Sequence, residues 1–116
     1  MSDYREKAVK AFTEDKMSCG QSILKGFQEL YDIKEDEILD AKAFGGGRAE
    51  GGLCGALYCG KMLCKTDVER DELTTEFTSK TQYAECKAIK QNKTASCTEC
   101  VDQAAKILEE IAKKRK

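Results

Sequence analysis

The sequence predicts an all-α fold, a single-domain bundle of five to six short helices spanning residues 1–116. Three observations carry this. Apolar residues recur at helical spacing in most segments, and no alternating strand pattern occurs. The chain contains no proline, the strongest helix breaker. Three times a serine or threonine stands three residues ahead of a glutamine or glutamate: Ser18 with Gln21, Thr66 with Glu69, and Ser96 with Glu99. This is the spacing of a capping box, in which each side chain satisfies the other residue's free N–H.

Tyr4, Ala8, Ala11 and Phe12 mark the first helix, over about residues 3–15. The second runs from Cys19 to about Tyr31, with Cys19, Ile23, Phe27 and Leu30 on one stripe. Ile38, Leu39 and Ala43 suggest a short third helix that stops at Gly45-Gly46-Gly47. A fourth, rich in small residues, follows from Leu53 through Ala56, Leu57, Cys59, Gly60 and Leu63 to about Cys64. Thr66 opens a long polar helix whose apolar members are Leu73, Phe77, Ala84 and Ala88, ending near Gln91-Asn92-Lys93. The last begins at Ser96, and Val101, Ala104, Ala105, Leu108, Ile111 and Ala112 give it the cleanest stripe.

Composition narrows the function. Lys plus Arg number 20 against 21 Asp plus Glu, so no global field recruits nucleic acid or anionic lipid. The basic end from Lys113 to Lys116 reads as a solvated last turn that complements a helix C-terminus. No stretch is long and apolar enough for a membrane span, and Met1–Glu6 lacks the pattern of a secretory signal. The expected setting is cytoplasmic, where thiols stay reduced. Seven cysteines are then better read as reactive, metal-binding or buried than as staples. Because the chain has no histidine, its chemistry has to be cysteine chemistry.

Cys19, Cys54 and Cys97 fall at expected helix starts, where unpaired N–H groups and the macrodipole favour thiolate over thiol. Cys97-Thr98-Glu99-Cys100 adds a C-x-x-C pair, which places a resolving thiol within one turn. Cys100 is equally well read as a small apolar residue on a bundle helix. Val101 stands where c-type haem attachment needs histidine, and the pair has neither the preceding strand nor the cis-proline of a thioredoxin domain. Cys54, Cys59 and Cys64 recur every five residues and so point about 140° apart in turn on a helix, at about 100° per residue. One metal cannot take all three, and Cys59 and Cys64 are the expected packing residues. Gly55 with Cys59, and Ala56 with Gly60, are small residues four apart that let another helix approach closely.

Gly45-Gly46-Gly47-Arg48 and Gly51-Gly52 lack the features of a P-loop or a dinucleotide turn. Their better use is to wrap backbone around the Cys54 sulfur. Gly46, Gly47, Gly52 and Gly55 are therefore the candidate residues for binding a cofactor; Arg48 reads first as a solvated loop residue, with positive charge beside the sulfur as the alternative.

The order Cys19-Gly20-Gln21-Ser22-Ile23-Leu24, Phe44-Gly45-Gly46-Gly47, Gly52-Leu53-Cys54-Gly55-Ala56-Leu57-Tyr58, Cys86, then Cys97 ahead of Val101 resembles the C_GCAxxG_C_C family of small redox-active proteins, over roughly residues 10 to 112. The resemblance implies that Cys19, Cys54, Cys86 and Cys97 correspond to the family's four cysteines. It also implies redox work with no particular substrate. The chain departs from the motif at one place: the closing glycine of CGAxxG is Cys59 here, with Gly60 one position later.

Two redox mechanisms follow. A thiolate at Cys54 or Cys97 attacks the disulfide of a redox partner protein, with Cys100 or Cys19 resolving the mixed disulfide. Alternatively Cys19, Cys54, Cys86 and Cys97 hold an iron–sulfur cluster or, less well matched to the spacing, zinc. The non-redox alternative is a helical interaction module with buried structural cysteines.

Overall fold

The computed structural model describes residues 3–44, 52–93 and 95–114. The described residues form eight α-helices: α1 (Asp3–Thr13), α2 (Cys19–Gly26), α3 (Gln28–Tyr31), α4 (Glu35–Asp40), α5 (Gly55–Leu63), α6 (Asp67–Thr81), α7 (Cys86–Asn92) and α8 (Cys97–Lys114). A 3₁₀ turn, Ala41–Phe44, follows α4. The class is the expected one, but the helices number eight rather than five to six because two expected helices are each divided.

The first division falls after Gly26. Phe27 leaves helical geometry at φ −103°, ψ 10°, and its N–H turns to the carbonyls of both Ile23 and Lys25. The break redirects the stripe, so Leu30 is exposed while Leu24 takes a core position. The second division falls at Gln82, which adopts the left-handed conformation at φ 71° and closes α6 by donating its N–H to Thr78 O at 2.7 Å. The buried Thr81 hydroxyl lies 2.7 Å from Tyr83 O and 3.0 Å from Phe77 O, which ties the turn to the helix end. Ala84 and Ala88, expected on one helix with Leu73 and Phe77, therefore lie beyond the break. In α4 only Ile38 is buried, and Leu39 faces outward.

The capping signals read correctly in two of three cases. Ser18 and Gln21 form a complete box, at 3.2 Å and 3.0 Å, as do Ser96 and Glu99, at 3.1 Å and 3.0 Å. Thr66 accepts from Glu69 N–H at 3.1 Å, but Glu69 reaches back one residue further, to Lys65 N–H at 2.8 Å.

Packing centres on α8. Cys100, Val101, Ala104, Ala105, Ile107, Leu108 and Ile111 are buried along it, and α1, α2, α5 and α6 pack against it. The helix α2 also packs on α1 and α5. Phe27, fully buried, stacks on Tyr4 at 5.5 Å between ring centroids.

A fork of hydrogen bonds fastens α1 to α8. The Arg5 guanidinium donates to both Asp102 oxygens, with Nη2 to Oδ2 at 2.8 Å. The Arg5 backbone N–H, unpaired within the first turn of α1, donates to Glu109 Oε2 at 3.2 Å. The hydrogen bond from Arg5 holds the Asp102 carboxyl below its ordinary 3.8. Its stability contribution is therefore complete above about pH 4 and lost as pH falls through the folded-state value. With both partners about one-third exposed, Asp102→Asn should cost about 1 kcal/mol at neutral pH. The difference from the parent in urea melts should vanish in acid, and an equal cost at all pH values would assign the loss to packing.

Candidate functional site

Cys19, Cys86 and Cys97 are the first residues of α2, α7 and α8, and Cys54 is the N-cap of α5. The fold brings these four helix starts to one cavity. It is lined by Cys19, Cys54, Gly55, Cys86, Cys97 and Cys100, with Ile89, Ala95 and Lys90 completing the wall, and its volume is about 30 Å³. Five of the seven sulfurs thus share one site. All seven cysteines are free thiols.

Backbone hydrogen bonds set the positions. Gly52 adopts φ +72°, a conformation glycine accepts without strain, and turns the chain into Leu53, which makes an isolated antiparallel bridge with Glu85. Cys54 N–H then donates to Ala84 O at 2.9 Å. The segment leading into α5 is thereby fixed to the segment leading into α7, which places Cys54 and Cys86 on the same cavity. Cys19 is set by the Ser18 cap and Cys97 by the Ser96 cap. Cys100, one turn further along α8, is carried inward.

The sulfurs are not equivalent. Cys54 and Cys100 are buried, each 3% exposed, whereas Cys19, Cys86 and Cys97 are half-buried. The Cys54 thiol is driven far below its ordinary value of 9.0 by hydrogen bonds from Cys100 and Cys19, assisted by the backbone N–H groups of Leu57 and Ala56. Burial opposes this and loses. Cys19 and Cys100 are driven the other way, first by the hydrogen bond each makes to Cys54, then by burial and by the Cys54 charge. The three form one coupled unit in which ionisation of Cys54 is favoured over that of its two neighbours. Burial also raises Cys86, against the opposing pull of Lys90.

Of the candidate residues, Cys19, Cys54, Gly55, Cys86, Cys97 and Cys100 converge, and Gly52 forms the turn beside them. Gly46, Gly47 and Arg48 lie outside the described residues, so their expected role in wrapping the sulfur has no structural account here. Cys59 and Cys64 take no part in the cavity. Cys59 is fully buried against α2, its thiol pushed up to about 12 by burial, and the Cys64 thiol lies 3.5 Å from Gly60 O. Sequence reasoning missed Lys90 and the carbonyl of Ala84. Lys90 was within reach, since it stands four residues after Cys86 on the same helix face. The Ala84 contact is a backbone pairing between distant segments and leaves no trace in side-chain pattern.

Residues 17–111 match the family described as "Putative redox-active protein (C_GCAxxG_C_C)". The chain belongs to the C_GCAxxG_C_C family. No curated protein and no solved structure matches it. The four cysteines that the resemblance matches to the family pattern, Cys19, Cys54, Cys86 and Cys97, all line the cavity, and Cys100 joins them from one helical turn beyond Cys97.

Proposed function

We propose that this C_GCAxxG_C_C protein is a dithiol–disulfide redox protein in which Cys54 is the reacting thiolate and Cys19 or Cys100 the thiol that pairs with it. The observation that carries this reading is the convergence of Cys19, Cys54 and Cys100 on one cavity, with Cys54 at the N-cap of α5. That arrangement favours a thiolate at Cys54 with two thiols beside it. Thiolate is the attacking form in exchange, and an adjacent thiol closes the pair once one sulfur is oxidised. The half-buried Cys97, Cys86 and Cys19 form the rim through which a redox partner protein exchanges electrons with the buried centre. A reducing cytoplasmic setting belongs to this reading, because a reversible pair must be returned to its dithiol form.

The competing occupant of the same sulfurs is an iron–sulfur cluster or zinc, favoured by five sulfurs on one cavity. Among the described residues, however, no three Cys, Asp or Glu side chains are placed to hold one metal ion. We therefore derive no step through a metal.

One preparation separates the readings. Protein purified without oxygen from iron-supplied cells should be colourless. On oxidation with a small disulfide it should then yield Cys54 joined to Cys19 or Cys100 in peptide mapping. Sulfur-to-iron absorption that disappears in Cys54→Ser would overturn the exchange reading in favour of a cluster. Thiols that all resist alkylation until the fold melts, with no metal present, would favour an interaction module.

A further inference from the structure

The charges around the cavity select what docks there, an inference that rests on the dithiol reading above. Residues 17–28, 51–66 and 86–98, which supply Cys19, Cys54, Cys86 and Cys97, contain six lysines and no aspartate or glutamate, although the whole chain holds 21 acidic residues. The segments that build the site are thus locally cationic in a chain whose net charge is −1. Three of these lysines, Lys87, Lys90 and Lys93, stand along α7 and its C-cap, and all three are exposed. Lys90 lines the cavity and acts on the Cys86 sulfur. Lys93 continues the helical spacing of Cys86, Ile89 and Lys90, the α7 residues of the cavity wall. Of the nearest acids in the sequence, Glu85 places its carboxylate beside Gly52, and Glu99 accepts the Ser96 N–H at 3.0 Å. Among the described residues none of the three lysines pairs with a carboxylate. Unneutralised cations beside a reactive thiol site attract anions and repel cations. We propose that α7 is the docking element for a redox partner protein whose disulfide is flanked by acidic side chains, which Lys87, Lys90 and Lys93 engage.

Docking and chemistry support each other. In the exchange, the Cys54 thiolate bonds to one partner sulfur, the S–S bond breaks, and the other partner sulfur leaves as thiolate. The thiol of Cys19 or Cys100 passes its proton to that thiolate and then displaces the bound sulfur. Two electrons have moved to the partner, and this chain keeps the disulfide. The negative charge that began on Cys54 ends on the partner, among its carboxylates, until solvent supplies a proton. Carboxylates beside the disulfide would repel an attacking thiolate, and the α7 lysines remove that penalty for the acidic partner while leaving a basic one repelled.

The test follows the reduced, full-length chain with three linear disulfides of similar size: dithiodipropionate, which is dianionic, neutral hydroxyethyl disulfide, and dicationic cystamine. Rates from intact mass are divided by those of free mercaptoethanol with the same probes, which removes differences in leaving group. At low salt the corrected rates should rank anionic above neutral above cationic, with about tenfold across the series, and the spread should collapse in about 0.5 M salt. Lys87→Gln combined with Lys93→Gln should cut the anionic-to-neutral ratio about threefold or more. Lys61→Gln with Lys65→Gln, the same loss of charge at the far end of α5 from Cys54, should not move it. A flat or reversed ranking in the parent, or a ratio that the α7 pair leaves unchanged, would overturn the proposal. A peptide disulfide flanked by glutamates should also outpace its glutamine counterpart; equal peptide rates beside a fast dithiodipropionate would overturn the protein partner in favour of a small anionic disulfide. If hydroxyethyl disulfide generates a Cys54 disulfide in peptide mapping, the dithiol reading survives any charge ranking; if no probe engages Cys54, both fall.

Discussion

Cys54→Ser should leave the helical circular dichroism nearly unchanged and remove the redox-active pair. Serine is a good N-cap, so α5 keeps its start, while the hydroxyl stays neutral and cannot form a disulfide. The rate of exchange with a small disulfide at pH 7 should fall by about 100-fold or more, since the neighbouring Cys19 and Cys100 hold their protons there. The same variant should change how stability depends on pH. In the parent, Cys54 is ionised in the folded chain and protonated in the unfolded one below its ordinary value of 9.0. The unfolded chain binds the extra proton, so this contribution rises with pH, by at most about 1.4 kcal/mol per unit, and is lost as pH falls. Above pH 9 the sign reverses, because Cys19 and Cys100 keep protons that the unfolded thiols release. Urea midpoints of the reduced parent should therefore peak near pH 9. In Cys54→Ser the rising limb should disappear and the falling limb should weaken, since both neighbours lose the charge that helped to raise them. A parent whose stability is flat from pH 6 to 9 under reducing conditions would show that Cys54 carries no proton-linked charge.

How much of this was legible beforehand depended on the range of the interaction that decides each feature. Helix starts were legible because caps are local: Ser18 and Ser96 act three residues away, and they located Cys19 and Cys97. The buried stripe of α8 was legible because Val101, Ala104, Ala105, Leu108 and Ile111 repeat at one period, and all five are buried. The breaks at Phe27 and Gln82 were not. Gln82 carries no turn signature and adopts φ 71° at a helix end where Thr81 is bound to Tyr83. Gly26 sits against Ala8, a contact between helices that no local pattern records. At the site, the sequence identified the sulfurs but ranked Cys97 and Cys100 poorly against each other. Spacing favours Cys97 as the family's fourth cysteine, and it does line the cavity, yet the sulfur on Cys54 is that of Cys100. The one-turn offset turns Cys97 to the rim and Cys100 to the interior. That choice follows from the roll of α8 against α2 and α5, a property of the packed bundle.

That packing leads to the second large effect, at the two glycines of α2. A glycine-to-alanine change inside a helix gains about 1 kcal/mol from propensity alone, so any net loss measures steric conflict. At Gly26 an added Cβ would lie 2.6 Å from Ala8 Cβ and 2.7 Å and 2.8 Å from the Ala8 backbone. Backbone cannot rotate away, so α1 must lift off α2, and Gly26→Ala should lose about 2–4 kcal/mol in denaturant melts with the thiol site largely intact. At Gly20 the conflict is with the site itself. The added Cβ would lie 2.6 Å from Cys59 Sγ and 3.2 Å from the carbonyl of Gly55, the residue after Cys54. Pushing α5 away separates Cys54 from Cys19, so Gly20→Ala should both destabilise the fold and return the Cys54 pKa toward its ordinary value. The departure from the family motif at Cys59 supplies the control. Cys59→Ala removes the sulfur that an alanine at position 20 would strike, at a cost of about 1 kcal/mol for the lost packing. The double variant should then be less destabilised than the sum of the single changes, by about 1–2 kcal/mol, with the low-pH reactivity of Cys54 partly restored. Strict additivity would mean that the Gly55 carbonyl, and not the Cys59 sulfur, sets how closely α2 approaches α5.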